Sequence, residues 1–155
     1  MKSLMWFRND LRMDDNPALR NACIESEEVH AIYIFSSSQN NFHNEANCKI
    51  EFLIENLKIL DQELSKINIP LTIIDSTGFK DNKDIILNLI KERAINKVFW
   101  NNQFGNDEQN RDGQVIRSFK KNNIEFSTHH EKVIFSPGSI RTAEDKPYSV
   151  FTPFK

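Results

Sequence analysis

Glycine is scarce in this chain: Gly78, Gly105, Gly113 and Gly138 are the only four in 155 residues. No two stand in a G-x-G-x-x-G spacing and none precedes Lys-Ser or Lys-Thr, so neither the dinucleotide fingerprint nor a P-loop is present. Cysteine is equally sparse. Cys23 and Cys48 form no C-x-x-C pair, and no charged leader with a long apolar core opens the chain, which is the pattern of a cytoplasmic protein with free thiols. Cys23 falls in a helical pattern and reads as a buried structural thiol. Apolar runs reach about five residues against the roughly 20 that a bilayer-spanning helix needs, so no membrane role is expected. Charge of one sign is also lacking. A net charge of −2 and a pI near 6.1 leave no basic footprint for sequence-independent phosphate binding. Four histidines, His30, His43, His129 and His130, come without H-E-x-x-H or a matched cysteine pair, so no metal site is expected. His129 and His130 stand at a strand end, where adjacent side chains point to opposite faces. No G-x-S-x-G elbow marks a nucleophilic serine.

What is present is a regular alternation. With 39% hydrophobic and 27% charged residues the chain has the composition of one globular domain. Short β-rich runs near 2–7, 29–35, 70–75, 96–100 and 124–128 alternate with helical patterns near 16–25, 45–67, 80–94 and 108–122. That order predicts βαβ units, and hence an α/β fold: a Rossmann-like, doubly wound, five-stranded parallel sheet flanked by helices. The second helix carries an apolar stripe, Ile50, Leu53, Ile54, Leu57, Leu60, Leu64 and Ile67, expected to pack along the sheet. Asn16-Pro17 reads as an N-cap with proline at the first helical position. Asp81 and Asp84 read as an acidic capping box for the third helix. Ser36 to Asn47 reads as a long polar loop leaving the second strand at its carboxyl end, and 136–155 as irregular chain.

Three stretches carry candidate chemistry. Leu4-Met5-Trp6-Phe7 is followed at once by Arg8, Asp10, Arg12, Asp14 and Asp15. These charges either meet a ligand or a neighbouring domain, or neutralise one another across a surface turn. In the second stretch, Val98 to Asp112, an apolar strand runs into an amide-rich loop and then a helix with Asp107, Glu108 and Asp112 near its start. The macrodipole alone accounts for carboxylates there, whereas Trp100 and Phe104 beside so many amides suit a flat heteroaromatic ligand, stacked by rings and met by carboxylates at its N–H groups. The third stretch joins Val133-Ile134-Phe135-Ser136-Pro137-Gly138 to Tyr148-Ser149-Val150-Phe151-Thr152-Pro153-Phe154-Lys155. It reads as an exit from the sheet and an apolar connector that needs a packing partner.

Trp6-Phe7-Arg8-Asn9-Asp10-Leu11-Arg12 with Asp15-Asn16 and Leu19, the Val98 to Asp112 stretch, and the Pro137-Gly138 turn with Tyr148 to Phe154 stand in the order and spacing that resembles the DNA photolyase and cryptochrome family. The resemblance implies an N-terminal photolyase-type α/β domain over 1–130. It implies that 131–155 begin a linker to a C-terminal helical domain holding FAD, absent from these residues. The function implied is that of the antenna-chromophore-binding domain of a deoxyribodipyrimidine photo-lyase, a carbon–carbon lyase and flavoprotein of DNA repair. Catalysis belongs to the FAD domain, so no catalytic residue is expected within this chain. In folate-binding members an Asn-Glu pair contacts the pterin; the matching positions are Asp107 and Glu108, with Asp107 departing from the amide. The pigment implied is methenyltetrahydrofolate, with a deazaflavin as the alternative and Lys49 near the basic position of deazaflavin-binding members. Arg111-Asp112 also fits the family, as structure rather than as contact. Partners implied are damaged DNA, through the absent domain, and that FAD domain itself; the protein is expected to be a monomer. The same residues fit a cryptochrome-type blue-light signalling protein. Apart from the resemblance, a small nucleotide-binding α/β module remains open.

Overall fold

The computed structural model describes residues 1–36, 46–76, 81–152 and 154. Along the chain run β1 (Lys2–Phe7), α1 (Pro17–Glu25), β2 (Glu28–Phe35), α2 (Asn47–Lys66), β3 (Leu71–Asp75), α3 (Asn82–Arg93), β4 (Lys97–Asn101), α4 (Asn106–Lys121) and β5 (Glu125–His129). The strands pair in parallel in the order β3-β2-β1-β4-β5. After β3 the chain returns to the far side of β1, which makes the sheet doubly wound and puts its switch point between β1 and β4.

β1 lies at the centre, and its sequence shows why. Alternate residues feed two cores: Leu4 and Trp6 join Ile86, Leu89, Val98, Trp100, Val115 and Phe119 on the face covered by α3 and α4. Met5 and Phe7 join Ala18, Leu19, Ala22, Leu60, Leu64 and Phe99 under α1 and α2. A strand buried on both faces reads as a continuous apolar run, as this one does.

Scarce glycine is compensated at the helix ends. Asn68, Ala94 and Asn123 take the left-handed conformation that glycine commonly supplies. After them the amides of Ile69, Ile95 and Ile124 donate back to Leu64, Ile90 and Phe119, and Ile69 and Ile95 are buried. Gly138, at φ 79°, closes a turn in which the Ser139 amide donates to the Ser136 carbonyl at 3.0 Å; with Pro137 second and glycine third, this is a type II turn.

Three expectations need correction. The stripe of α2 packs on the sheet only in part: Leu57, Leu60 and Leu64 are buried, whereas Ile50 and Leu53 are half-buried and Ile54 and Ile67 are exposed. The first half stands off the sheet and walls a cleft. The Asp81–Asp84 capping box does not form, because Asp81 is already helical at φ −84° and ψ −17° and caps through its carbonyl, which accepts from Asp84 and Ile85. Cys23 is exposed on α1 rather than buried. By contrast the Asn16 side chain does cap α1, accepting from the Leu19 amide at 3.1 Å with Pro17 at the first position. The expected loop from Ser36 to Asn47 falls for the most part, at 37–45, outside the described residues.

Candidate functional site

At the carboxyl end of the sheet, where a doubly wound fold opens its crevice, lies a cleft of about 700 Å³. Four elements build most of it, with Asn82 at the start of α3 completing the lining. The end of β1 and its turn supply Trp6, Phe7, Arg8 and Arg12, and the end of β2 supplies Tyr33 and Phe35. The raised first half of α2 brings Lys49, Phe52 and Asn56, and the start of α4 brings Asp107, Glu108 and Arg111. Asp107 and Glu108 therefore stand together on one wall, as residues two and three of a helix whose N-terminus favours their charge.

Beneath the cleft the opening turn is held by a buried polar network. The Arg8 amide donates to Asp10 Oδ1 at 2.7 Å, and the Asn101 amide group donates to Asp10 Oδ2 at 2.6 Å and to Asn16 Oδ1 at 2.8 Å. Asn101 Oδ1 accepts from the Ala18 amide at 3.2 Å. One side chain of β4 thus joins the turn after β1 to the first turn of α1. The charges of this turn do not form the mutual surface network that alternation suggested: Arg8 and Asp10 are buried. Arg8 Nη1 reaches Asp112 at 2.8 Å, and Arg12 Nη1 reaches Glu131 at 2.6 Å.

Arg8 makes up its remaining interactions with rings. Its Nε and Nη2 meet no oxygen acceptor, but its guanidinium carbon lies 4.0 Å from the Trp6 ring centroid and 5.6 Å from that of Trp100. Arg111 stands 5.0 Å from Trp6, so two cations face one indole. Burial, reinforced by Arg111, pushes the Arg8 guanidinium down to about 9, with Asp112 and Asp10 opposing. It is a cation at neutral pH.

Burial likewise pushes the Tyr33 phenol up to about 12, against the pull of Arg111 and with some help from Asp10. An unfolded tyrosine loses its proton near pH 10. Between these values the folded chain holds a proton the unfolded chain has lost, so stability falls as pH rises through the window, by up to about 3 kcal/mol for two pH units. Urea unfolding at pH 9.5 and at pH 12 is expected to show a change between the two pH values that is less favourable in the parent than in Tyr33→Phe by about this amount. Parallel losses in both proteins would remove Tyr33 as the cause.

Trp100 and Phe104, expected to stack on a ligand, do not line the cleft. Trp100 is fully buried behind Trp6, at 6.0 Å between centroids, and stacks on Phe126 at 5.5 Å. Phe104 stacks on His130 at 5.9 Å, and His129 faces the other way onto Phe99. The aromatic residues that line the cleft are Tyr33, Phe35 and Phe52, with Trp6 and Phe7 buried beneath it. Sequence reasoning missed the β2 and α2 members. The available signal was that a parallel strand's carboxyl end, here Tyr33 to Phe35, faces the crevice.

Comparison with known proteins decides the family. The family model described as DNA photolyase matches residues 3–155. The chain belongs to the DNA photolyase family. A deoxyribodipyrimidine photo-lyase of Buchnera aphidicola is 34% identical over 99% of this chain and 32% of its own length. That of Escherichia coli is 34% identical over 98% of this chain, again covering 32% of the relative. The chain thus spans about a third of the length of these photolyases. Among solved structures, an archaeal photolyase from Sulfolobus tokodaii, determined with two FAD molecules, superposes with a TM-score of 0.78 at 23% identity, over 92% of this chain and 32% of that one. The photolyase fold of the five-stranded sheet is shared with it. Among the described residues, no helix is long and apolar enough to cross a membrane.

Proposed function

We propose that this chain is the antenna-chromophore-binding domain of a deoxyribodipyrimidine photo-lyase, the light-driven repair enzyme for cyclobutane pyrimidine dimers in DNA. In this reading residues 1–130 form the pigment domain and 131–155 begin the connection to a helical domain that holds FAD, meets damaged DNA and performs the bond chemistry. The cleft at the carboxyl end of the sheet carries the proposal. Its volume suits a ligand of the size of a folate or a flavin, the side chains of Tyr33, Phe35 and Phe52 line it, and Asp107 and Glu108 offer carboxylates to ring N–H donors. A pigment bound there absorbs near-ultraviolet or blue light and passes the excitation to the flavin without bond chemistry. The protein's part is to hold and orient that pigment and to exclude water from its faces.

The exposed apolar side chains of the last stretch support the connector: Ile134, Phe135, Val150 and Phe151 all face outward, Ile134 at 95% exposure. Methenyltetrahydrofolate is the pigment proposed, because carboxylates at 107 and 108 suit its amino-pyrimidinone edge. The second FAD of the archaeal relative makes a flavin the competing ligand. The test is titration of the chain with 5,10-methenyltetrahydrofolate and, separately, with FAD, followed by absorbance. Saturable folate binding, weakened at least fivefold in Glu108→Ala, is the expected result. Tight FAD binding without folate binding would replace the pigment, and binding of neither would remove the antenna reading.

A further inference from the structure

Gly105 is the N-cap residue of α4, with φ −66° and ψ 150°, a backbone conformation open to any residue. Conformational freedom is therefore not why glycine stands there. Space is. A Cβ built on Gly105 would fall on Glu108 Oε2 and lie 2.9 Å from Glu108 Cδ. The Glu108 side chain is folded back over the N-cap residue, as the third residue of a capping box folds, although a glycine N-cap has no side chain to complete the box. Its carboxylate rests at the positive end of the helix, in room that exists only because residue 105 has no side chain. Parked in this same pose, Glu108 borders the cleft, so rotation about its own flexible side-chain bonds is all that separates it from one extended toward a ligand.

We infer that Gly105 is a positioning residue that sets the affinity of the cleft, by allowing Glu108 to withdraw its carboxylate from the ligand. The inference rests on the proposed function above, in which Glu108 accepts from the N–H edge of a flat heteroaromatic pigment. A ligand that needs the extended side chain must draw it out of the parked pose, and its apparent affinity falls by the fraction of molecules already extended. An alanine at 105 closes the parking space at little backbone cost. The obstacle is the far end of a flexible side chain, which moves where backbone would not.

Four versions of the chain, the parent, Gly105→Ala, Glu108→Ala and the double variant, titrated with 5,10-methenyltetrahydrofolate, test this. Gly105→Ala is expected to tighten binding about threefold, as for a parked pose held by about two thirds of the molecules. Glu108→Ala is expected to weaken it at least fivefold. In the Glu108→Ala background the change at 105 is expected to have no effect, because there is no carboxylate left to release. A general improvement of helix or cleft by alanine would instead persist in that background, and overturns the inference, as does unchanged affinity in Gly105→Ala alongside weakened binding in Glu108→Ala. If Glu108→Ala binds like the parent, the pigment-contact reading of Glu108 fails, and the role of Gly105 fails with it.

Discussion

Asp112→Ala is expected to lower stability by about 3–5 kcal/mol, the cost of breaking a buried ion pair by removing one partner. Asp112 takes Arg8 Nη1 on one oxygen at 2.8 Å and the Arg111 guanidinium on the other at 3.0 Å. Without it, two guanidinium groups face each other beside Trp6 with no carboxylate between them. The Arg8 side chain is only 4% exposed, so water cannot take over. For a chain of this size the loss corresponds to a melting temperature lower by about 10 °C. The double variant Arg8→Met with Asp112→Asn is expected to lose much less, since it removes the desolvated cation and leaves an amide oxygen for Arg111. Thermal and urea unfolding of both variants decide the matter. An Asp112→Ala protein within about 1 kcal/mol of the parent would show that the ring faces alone hold Arg8 in place.

Asn101→Leu is the second large effect, expected at about 3 kcal/mol. Leucine has the heavy-atom branching of asparagine, in a larger volume, and offers no polar atom. Asp10 Oδ2 then loses its 2.6 Å donor and keeps only Asn16 Nδ2 at 3.4 Å, while the Ala18 amide loses its side-chain acceptor; a buried group left unpaired costs about 1–3 kcal/mol. Asn16 keeps its cap to Leu19 but loses the bond that holds it to β4. The damage should be directional: hydrogen exchange is expected to quicken at Ala18 and Leu19 and in the turn from Arg8 to Arg12, well before the far edge at β3 responds. Uniform acceleration across all five strands would mean that Asn101 stabilises the whole sheet rather than this junction.

Both effects concern residues that the sequence presents as a charged turn and an amide-rich loop, and they mark where sequence reasoning stops. Alternation of β-rich and helical stretches was enough for the parallel sheet, because the period of a buried strand and that of an amphipathic helix are local properties. The N-cap at Asn16 was legible for the same reason. Asp107 and Glu108 could be placed at the start of α4 from the chain alone, and their common wall of the cleft follows from the helix leaving β4 at the carboxyl end. Trp100 shows the limit. It stands one residue from the end of its strand, beside amides, and whether its ring faces the ligand or the core depends on the pleat and on what α4 buries; Phe119 and Phe126 claim it.

What the sequence determined by itself was the order of elements, the apolar run of a buried first strand, and the motifs that put the chain in its family. Tertiary structure decided the pairing of charges. Asp112 meets Arg8 across 104 residues and Asn101 meets Asp10 across 91, distances along the chain over which no periodicity carries information. It also decided that the first half of α2 would stand off the sheet, since burial of a stripe depends on the surface opposite it, and that gap is the cleft.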